Sequence, residues 1–211
     1  MPGIFITFEG PDGAGKSSVI EEIVPLLREQ IQVDIVETRE PGGIKIAEEI
    51  RKIILNPGNS LMDDRTEALL YTAARRQHIV EKIQPALEAG KMVICDRFVD
   101  SSLAYQGKGR GIGMDNVAMI NEFATEGLTP DLTLYLDIDA ETGMERVQHS
   151  SKHMDRLESA GLEFHQRVRH GYLQLLEEFP ERIRRVDARQ PLGNVVSECF
   201  NIIYERFPMI F

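Results

Sequence analysis

The sequence predicts an α/β fold, with a parallel sheet flanked by helices. Short apolar runs alternate with segments of helical periodicity along the 211 residues, which is the pattern of strands joined by crossover helices. Hydrophobic residues make up 42% of the chain and charged residues 27%, so the chain can form a large core and is not expected to be disordered. The length suits one domain, which we expect to cover residues 1–211.

Five apolar runs are interpreted as the strands of this sheet. The first reads IFITF, and a run of this kind is typical of a strand that is buried on both faces. The last reads RIRRVDA, and its charges favour an edge position. The predicted strands lie at 4–8, 33–38, 92–96, 131–138 and 182–188.

Apolar side chains at helical spacing predict the helices between the strands. Asp63 or Asp64 is expected to cap one of them, and Gly127 to close another. Pro25 is expected to kink the first helix or to remove one of its hydrogen bonds. The polar segment 149–161 has little apolar content and is expected to be a mobile lid. The predicted helices lie around 20–27, 46–54, 63–90, 116–127, 140–149, 164–179 and 195–203.

Charge and composition narrow the class of partner. Lys and Arg number 24 and Asp and Glu 34, and the net charge of −10 argues against binding to nucleic acid or to an anionic membrane. No secretory signal or membrane-spanning run is recognised, so a cytoplasmic setting is expected. Cys95 and Cys199 are expected to be buried and free. The five histidines show no metal-ligand spacing and are expected at the surface.

The stretch after the first strand has the pattern of a phosphate-binding P-loop. Gly10 is followed by four residues and then by Gly15-Lys16-Ser17, between a predicted strand and a predicted helix. The glycines let backbone N–H groups face phosphate oxygens, the lysine reaches the outer phosphates and the serine hydroxyl ligates Mg²⁺. The alternative interpretation is a glycine-rich turn that binds no phosphate. The residues expected to bind ATP here are Gly10, Asp12, Gly13, Ala14, Gly15, Lys16, Ser17 and Ser18.

Three further motifs fall where other strands end or on the helix beside them. They are TREPGG at 38–43, LLYTAARRQH at 69–78 and CDRFVDSSLAYQG at 95–107. The carboxyl ends of parallel strands form the usual ligand crevice of such a sheet. Asp96 can hold a water on Mg²⁺ there, and arginines can clamp a phosphate. Tyr71 and Arg75 are one helical turn apart and can stack on a base and donate to it.

Taken together, these motifs resemble the bacterial thymidylate kinase (dTMP kinase) family over essentially the whole chain. The strings that carry the resemblance are FITFEGPDGAGKSS, TREPGG, IRKIIL, RTEALLYTAARRQH, CDRFVDSSLAYQG, GLTPDLTLYLD and DRLE. The resemblance implies a P-loop nucleoside monophosphate kinase fold with a five-stranded parallel sheet and a lid. It also implies transfer of the ATP γ-phosphoryl group to dTMP, with Mg²⁺, by a homodimer.

The resemblance also implies roles for individual residues. Arg39 and Arg97 would contact the acceptor phosphate and the transferring group, and Asp96 would order the Mg²⁺ shell. Tyr71 would stack on thymine, Arg75 would donate to its O4, and Gln106 would read the base. Further positions expected at the substrates are Glu40, Arg51, Ser101, Ser102, Tyr105 and, beside adenine, Arg146.

Several of these residues have an ordinary structural alternative. Tyr71 could be a core aromatic, Arg51 and Arg146 could be solvated charges, and Glu40 could cap a turn. Ser101 is favoured as structural over Ser102, and Glu9 is slightly favoured as structural. A P-loop ATPase switch, or a kinase that accepts several pyrimidine nucleotides, remains open; a GTPase does not, because the chain has no Asn-Lys base-reading motif.

Two features of the P-loop need separate explanation. By resemblance, Asp12 points away from ATP and accepts a hydrogen bond from the acceptor's 3′-hydroxyl; the alternative is an Asx-turn. Gly13 stands where some members of the family, including the human enzyme, carry arginine. The resemblance implies that the missing cation comes from the lid, where Lys152 and Arg156 are the candidates.

Overall fold

The computed structural model describes residues 3–149 and 155–211. Within these ranges one sheet of five parallel strands has the order β2-β3-β1-β4-β5. The strands are β1 (Ile4–Glu9), β2 (Ile35–Arg39), β3 (Met92–Asp96), β4 (Leu132–Asp137) and β5 (Ile183–Asp187). All five predicted strands are therefore confirmed, the last as an edge strand that pairs with β4.

Helices cover both faces of this sheet. The segment predicted as one or two helices after Asp63 is α3, then a turn of π-helix at Ile79–Ile83, then α4. A second π-helical segment, Leu103–Gly109, follows α5. The helices are α1 (Lys16–Gln30), α2 (Lys45–Leu55), α3 (Asp64–His78), α4 (Gln84–Glu88), α5 (Val99–Ser102), α6 (Met114–Thr125), α7 (Ala140–His149), α8 (Leu162–Glu178) and α9 (Leu192–Arg206).

Two local expectations have clear outcomes. Asp63 caps α3, because its Oδ1 accepts hydrogen bonds from the backbone N–H groups of Arg65 (3.0 Å) and Thr66 (3.1 Å). Pro25 does not end α1, which continues to Gln30. Since Pro25 lies on the exposed side of the helix, the carbonyl that loses its intrahelical partner can be hydrated.

Alternation along β1 divides the core into two layers. Ile6 and Phe8 pack into the cluster formed with α1 and α9, whereas Phe5 packs into the cluster on the opposite face. Glu9, two positions beyond Thr7, also points to that opposite face and is fully buried. One charged group of the first strand therefore lies beneath the loop that follows β3.

The sheet brings the functional motifs to one edge. Arg39 of β2 and Phe8 of β1 both pair in register with Asp96, the last residue of β3. The chain runs from β1 to one side of the sheet and later returns to its other side with β4, so the ligand crevice is expected beside β1. The P-loop lies there.

Buried polar groups correct one sequence expectation and confirm another. His78 and His165 are buried, so the prediction that the histidines lie at the surface is wrong for these two. His78 faces β2 from α3, and its ring contacts Thr38 Oγ1 (2.6 Å) and Glu40 Oε1 (2.9 Å). Cys95 and Cys199 are buried and free, as predicted. Of the predicted lid, residues 150–154 lie outside the described part of the chain.

Candidate functional site

A cleft of about 610 Å³ opens at the carboxyl edge of the sheet. One end is the P-loop and the other is bounded by α3 and the π-helical segment after α5. The sequence-predicted residues that line it are Asp12, Gly13, Gly15, Lys16, Ser17, Ser18, Arg39, Glu40, Arg51, Tyr71, Arg75, Asp96, Arg97, Ser101, Ser102, Tyr105, Gln106 and Arg146. Gly10 and Ala14 belong to the P-loop but do not line the cleft, Arg156 does not line it either, and Lys152 lies outside the described residues.

The P-loop conformation depends on its glycines. Gly10, Gly13 and Gly15 have φ values of 144°, 78° and 84°, which side chains disfavour. A β-carbon on Gly13 would fall on the carbonyl group of Gly143 in α7, so this position has no room for any side chain. The missing cation at position 13 thus has a packing explanation.

Lys16 is buried inside the P-loop. Its Nζ donates to the carbonyl oxygens of Gly10 (3.1 Å) and Pro11 (3.0 Å). Burial lowers the pKa of Lys16 to about 8, and the positive charge of Arg97 contributes to the decrease. This ammonium group is therefore poorly compensated by the protein, and a phosphate anion would stabilise it.

Ser17 and Asp96 form the candidate metal position. Ser17 Oγ donates to Asp96 Oδ2 at 2.9 Å, while Asp96 Oδ1 is buried and has no hydrogen-bond partner in the described residues. An unpaired buried carboxylate oxygen beside a hydroxyl fits Mg²⁺ held through water and phosphate oxygens. No group of three or more His, Cys, Asp or Glu that could hold a metal occurs in residues 3–149 and 155–211.

Arg97, Asp12 and Tyr105 form one hydrogen-bonded unit. Arg97 Nη2 donates to Asp12 Oδ1 (2.6 Å), and the Tyr105 hydroxyl donates to Asp12 Oδ2 (2.8 Å). Burial alone would raise the pKa of Asp12, but the charges of Arg97 and Lys16 outweigh burial and hold the pKa below its usual value. Asp12 is therefore ionised and bridges the P-loop to the loop after β3.

Glu9 supports this unit from beneath. Its carboxylate accepts hydrogen bonds from the backbone N–H of Phe98 (2.7 Å), from the hydroxyl of Ser101 and from that of Tyr172 (2.9 Å). Arg97, which the same loop carries, has φ 71°, an unusual conformation for a non-glycine residue. Glu9 and Ser101 thus fix the loop that positions Arg97, and Ser101 also lines the cleft.

Arg75 is almost fully buried and held on every side. Nε donates to Glu40 Oε2 (2.7 Å), Nη1 to Ser102 Oγ (3.1 Å) and to Asn121, and Nη2 to the Phe98 carbonyl (2.9 Å). These four bonds leave one of the five guanidinium N–H groups for a ligand. Glu40 is a buried anchor of Arg75 and not a simple turn cap.

For three residues at the cleft, the sequence allowed either a ligand-binding role or an ordinary place in the core or at the surface. Tyr71 is half-buried, packs on the cluster of α8 and also lines the cleft, so its ring has a free side. Arg51 donates to the Pro41 carbonyl at 2.8 Å. Arg146 is exposed and donates to the carbonyl of Ala188 at 3.0 Å, beside the P-loop.

Arg156, one of the two candidate lid cations, lies away from the P-loop. Its Nε donates to the carbonyl of Ile54 (3.0 Å), and its Nη2 forms an ion pair with the buried carboxylate of Glu67. A buried carboxylate is a stronger partner for a guanidinium than solvent is, so the side chain is held beside α2 and α3 and away from the P-loop. Arg156 therefore does not contact the P-loop in this structure.

Sequence reasoning missed Tyr172 and Glu67. Tyr172 lies at helical spacing on the apolar face of its helix, but a buried tyrosine hydroxyl needs a partner, and here it contacts Glu9, Ser101 and Arg97. Glu67 lies one helical turn before Tyr71 and two before Arg75, so the same spacing that identified those two residues could have identified it.

Comparison with known proteins gives a consistent result. The family model described as thymidylate kinase matches residues 8–199. The chain is 63% identical over 209 residues to a thymidylate kinase of Enterococcus faecalis, covering 99% of both chains. It is 61% identical over 204 residues to one of Latilactobacillus sakei, covering 96% of this chain and 95% of the relative. The crystal structure of thymidylate kinase from Ehrlichia chaffeensis aligns with a TM-score of 0.78 at 32% identity, over 96% of this chain and 99% of that one.

These matches confirm the predicted P-loop nucleoside monophosphate kinase fold and the resemblance inferred from the motifs. They extend over nearly the full length of the chain and of its relatives, so they apply to the cleft as well as to the scaffold. The chain belongs to the thymidylate kinase family.

Proposed function

We propose that this chain transfers the γ-phosphoryl group of ATP to the 5′-phosphate of dTMP, giving dTDP and ADP. The observation that carries the proposal is the single cleft that joins a P-loop to a pocket lined by Tyr71, Arg75 and Gln106. A phosphate donor and a nucleotide acceptor can meet in such a cleft, and positioning of this kind accounts for much of the catalysis of phosphoryl transfer.

The donor binds along the P-loop. Backbone N–H groups of residues 10–18 hold the phosphates, and Lys16 leaves its carbonyl partners to reach the outer phosphates. Arg146 packs on adenine beside the loop. Ser17 and Asp96 would hold Mg²⁺, which would neutralise charge on the phosphates.

The acceptor binds in the other half of the cleft. Tyr71 stacks on thymine, and the remaining N–H of Arg75 donates to O4. Asp12 keeps lone pairs for the 3′-hydroxyl of the sugar after bonding Arg97 and Tyr105, and Tyr105 and Ser102 crowd the sugar. Arg39, Arg51 and Arg97 contact the acceptor phosphate and the transferring group.

The lid has two candidate cations for the transferring phosphate, Lys152 and Arg156. Arg156 is engaged with Glu67, so we assign the phosphate-directed charge to Lys152, which lies outside the described residues. Its effect is tested by Lys152→Ala with Lys45→Ala as the matched control, because Lys45 is a lysine on α2 that does not line the cleft. A loss of kcat in the first variant alone supports the assignment, and equal rates in both contradict it.

We also propose a cytoplasmic homodimer. Large apolar side chains are exposed on α2, α3 and α6, which pack side by side, and a second copy of the chain would cover them. These side chains are Ile46, Ile53, Leu69, Met119 and Phe123. Two buried free cysteines fit a reducing compartment. No helix in the described ranges has both the length and the apolar character needed to cross a bilayer.

An ADP-release assay with MgATP tests the activity. The acceptors compared are dTMP, dUMP, ribo-TMP, dCMP and dGMP, with Lys16→Ala as the inactive control. Release with dTMP well above the others supports the proposal. Release that is independent of the acceptor would indicate an ATPase switch, equal release with several pyrimidine nucleotides would indicate a broader kinase, and a dTMP rate no higher than that of Lys16→Ala would contradict the proposal.

A further inference from the structure

Glu67 is a buried carboxylate to which the proposed function gives no role. It is 0% exposed and lies on α3, facing the π-helical segment that carries Gln106. Its Oε1 accepts hydrogen bonds from Gln106 Nε2 at 2.8 Å and from Arg110 Nε at 3.4 Å, and its Oε2 accepts from Arg110 Nη2 at 3.1 Å and from Arg156 Nη2. The carboxylate therefore has three partner residues, two from the π-helical segment and its end and one from the segment before α8.

This contact determines which end of the Gln106 amide faces the cleft. An ionised carboxylate only accepts hydrogen bonds, so the NH₂ group of Gln106 must turn toward Glu67. The amide oxygen, Oε1, is then the atom directed away from Glu67, and Gln106 lines the cleft. Within residues 3–149 and 155–211 no group donates to this oxygen.

The Gln106 amide oxygen, as a hydrogen-bond acceptor facing the base, can distinguish between pyrimidine bases. The N3 atom of thymine carries a hydrogen and donates, whereas the N3 atom of cytosine has a lone pair and accepts. We propose that Glu67 is a positioning residue that fixes the Gln106 amide with its oxygen toward the base, and so favours a thymine over a cytosine nucleotide. This inference rests on the proposed function, since it assumes that the base of the acceptor lies against Gln106.

The two arginines make the inference testable with an isosteric change. In Glu67→Gln the new amide has one oxygen, and the Oε2 position favours it because Arg110 Nη2 and Arg156 Nη2 both donate there, whereas the only arginine contact at the Oε1 position is Arg110 Nε at 3.4 Å. Its NH₂ group is then directed at Gln106, whose amide must reverse to accept. The reversed amide presents a donor to the base, which opposes the N3–H of thymine and matches the lone pair of cytosine.

The experiment measures the dissociation constants of dTMP and dCMP by calorimetry, together with the steady-state kinetics of dTMP phosphorylation. For Glu67→Gln we expect the preference for dTMP over dCMP to fall by roughly tenfold or more, because a buried hydrogen bond is replaced by a donor–donor contact. The KM for dTMP should change more than kcat. Glu67→Asp keeps an acceptor-only group and should retain the preference.

Glu81→Gln is the matched control. Glu81 is exposed and accepts a hydrogen bond from a glutamine, Gln77 Nε2, at 3.2 Å, so the same chemical change is made away from the cleft. Gln106→Ala alone should also lower the preference for dTMP. This variant leaves the ion pairs of Glu67 with its arginines in place, so it can test the role of Gln106 even if Glu67→Gln does not fold. In the Gln106→Ala background, Glu67→Gln should have no further effect on the preference.

The outcomes separate this inference from the proposed function. If the wild-type chain does not phosphorylate dTMP, the proposed function fails and the inference fails with it. If the wild-type chain is active but Glu67→Gln or Gln106→Ala leaves the preference unchanged, the positioning role alone is refuted. The positioning role is also refuted if Glu67→Gln lowers the preference for dTMP as much in the Gln106→Ala background as in the wild type. Glu67 would then act on the base without Gln106.

Discussion

Lys16 is a P-loop residue whose pKa is lowered by its surroundings. Burial and the Arg97 charge place its pKa at about 8, so in the free protein the ammonium group is lost as pH rises through 8 rather than through the usual value. We expect kcat/KM for ATP, which reports the free enzyme, to decline above about pH 8.

The measurement is a set of pH profiles for kcat/KM with ATP and for kcat at saturating substrates. Bound phosphates stabilise the charged lysine, so the decline in kcat should begin at higher pH than the decline in kcat/KM. A kcat/KM that stays constant to about pH 10 would show that Lys16 keeps an ordinary pKa.

The pKa of Glu9 is shifted upward, whereas that of Lys16 is shifted downward. Burial raises its pKa to about 7, with the neighbouring Asp100 charge adding to the rise. Between the unfolded value and about 7 the folded chain binds the extra proton, so Glu9 stabilises the fold at low pH and this stabilisation is lost as pH rises through 7.

The prediction compares the wild-type chain with Glu9→Gln, which cannot titrate. The free energy of unfolding of the wild type, relative to Glu9→Gln, should decrease by up to about 3 kcal/mol between pH 4.5 and 7.5. Urea unfolding at several pH values measures this difference. A difference that is constant across the range would mean that the pKa of Glu9 is the same in the folded and the unfolded chain.

At the scale of elements, the contact between the P-loop and α7 is made by two glycines. A β-carbon on Gly143 would lie 2.6 Å from the Asp12 carbonyl oxygen, so Gly143→Ala must displace either the helix or the loop. We expect it to destabilise the chain by about 1–3 kcal/mol and to weaken ATP binding.

Gly193→Ala is the control for this prediction. Gly193 is also a helix residue, but its β-carbon would meet nothing within 4 Å, so this substitution should be neutral or stabilising by up to about 1 kcal/mol. Thermal unfolding and ATP titration measure both variants. Equal stability and equal ATP affinity in the two would show that α7 moves away from the loop without cost.

The elements were predicted well where the pattern was local, and the site less well where it depended on distant residues. Strands such as Ile4–Glu9 and the P-loop follow from contiguous runs and spacings. The position of the Arg156 side chain does not follow from a local pattern, because its partner Glu67 is 89 residues away in sequence. The burial of His78 and the role of Tyr172 likewise depend on which helix face meets the sheet, which periodicity alone does not give.

At the scale of the whole molecule, the cleft differs in charge from the rest of an acidic chain. The net charge of the chain is −10, whereas six basic and five acidic side chains line the cleft. The basic residues are Lys16, Arg39, Arg51, Arg75, Arg97 and Arg146, and the acidic residues are Asp12, Glu40, Asp96, Asp155 and Glu158. A slightly positive cleft favours an anionic ligand, while the acidic remainder of the chain disfavours polyanions. The sequence predicts all of these charged residues at the site except Asp155 and Glu158.

The proposed dimer gives a prediction at this scale. Met119 of α6 is 70% exposed and belongs to the proposed interface, whereas Met209, near the C-terminus, is 65% exposed and does not. Met119→Glu should shift the chain toward monomer and Met209→Glu should not, because only the first places a charge in an apolar contact. Analytical ultracentrifugation measures both. A wild-type chain that sediments as a monomer would contradict the dimer itself.

The meeting of Gly13 with Gly143 also limits how this chain could evolve. A β-carbon at position 13 would fall on the Gly143 carbonyl group, so an arginine there requires the backbone of α7 to move. Gly143 already lacks a side chain, so no substitution at position 143 can provide this space. A lineage that gains an arginine at position 13 would first need substitutions elsewhere that shift α7, and the arginine without them would destabilise the chain. Position 13 is therefore expected to remain glycine in relatives that keep α7 this close to the P-loop.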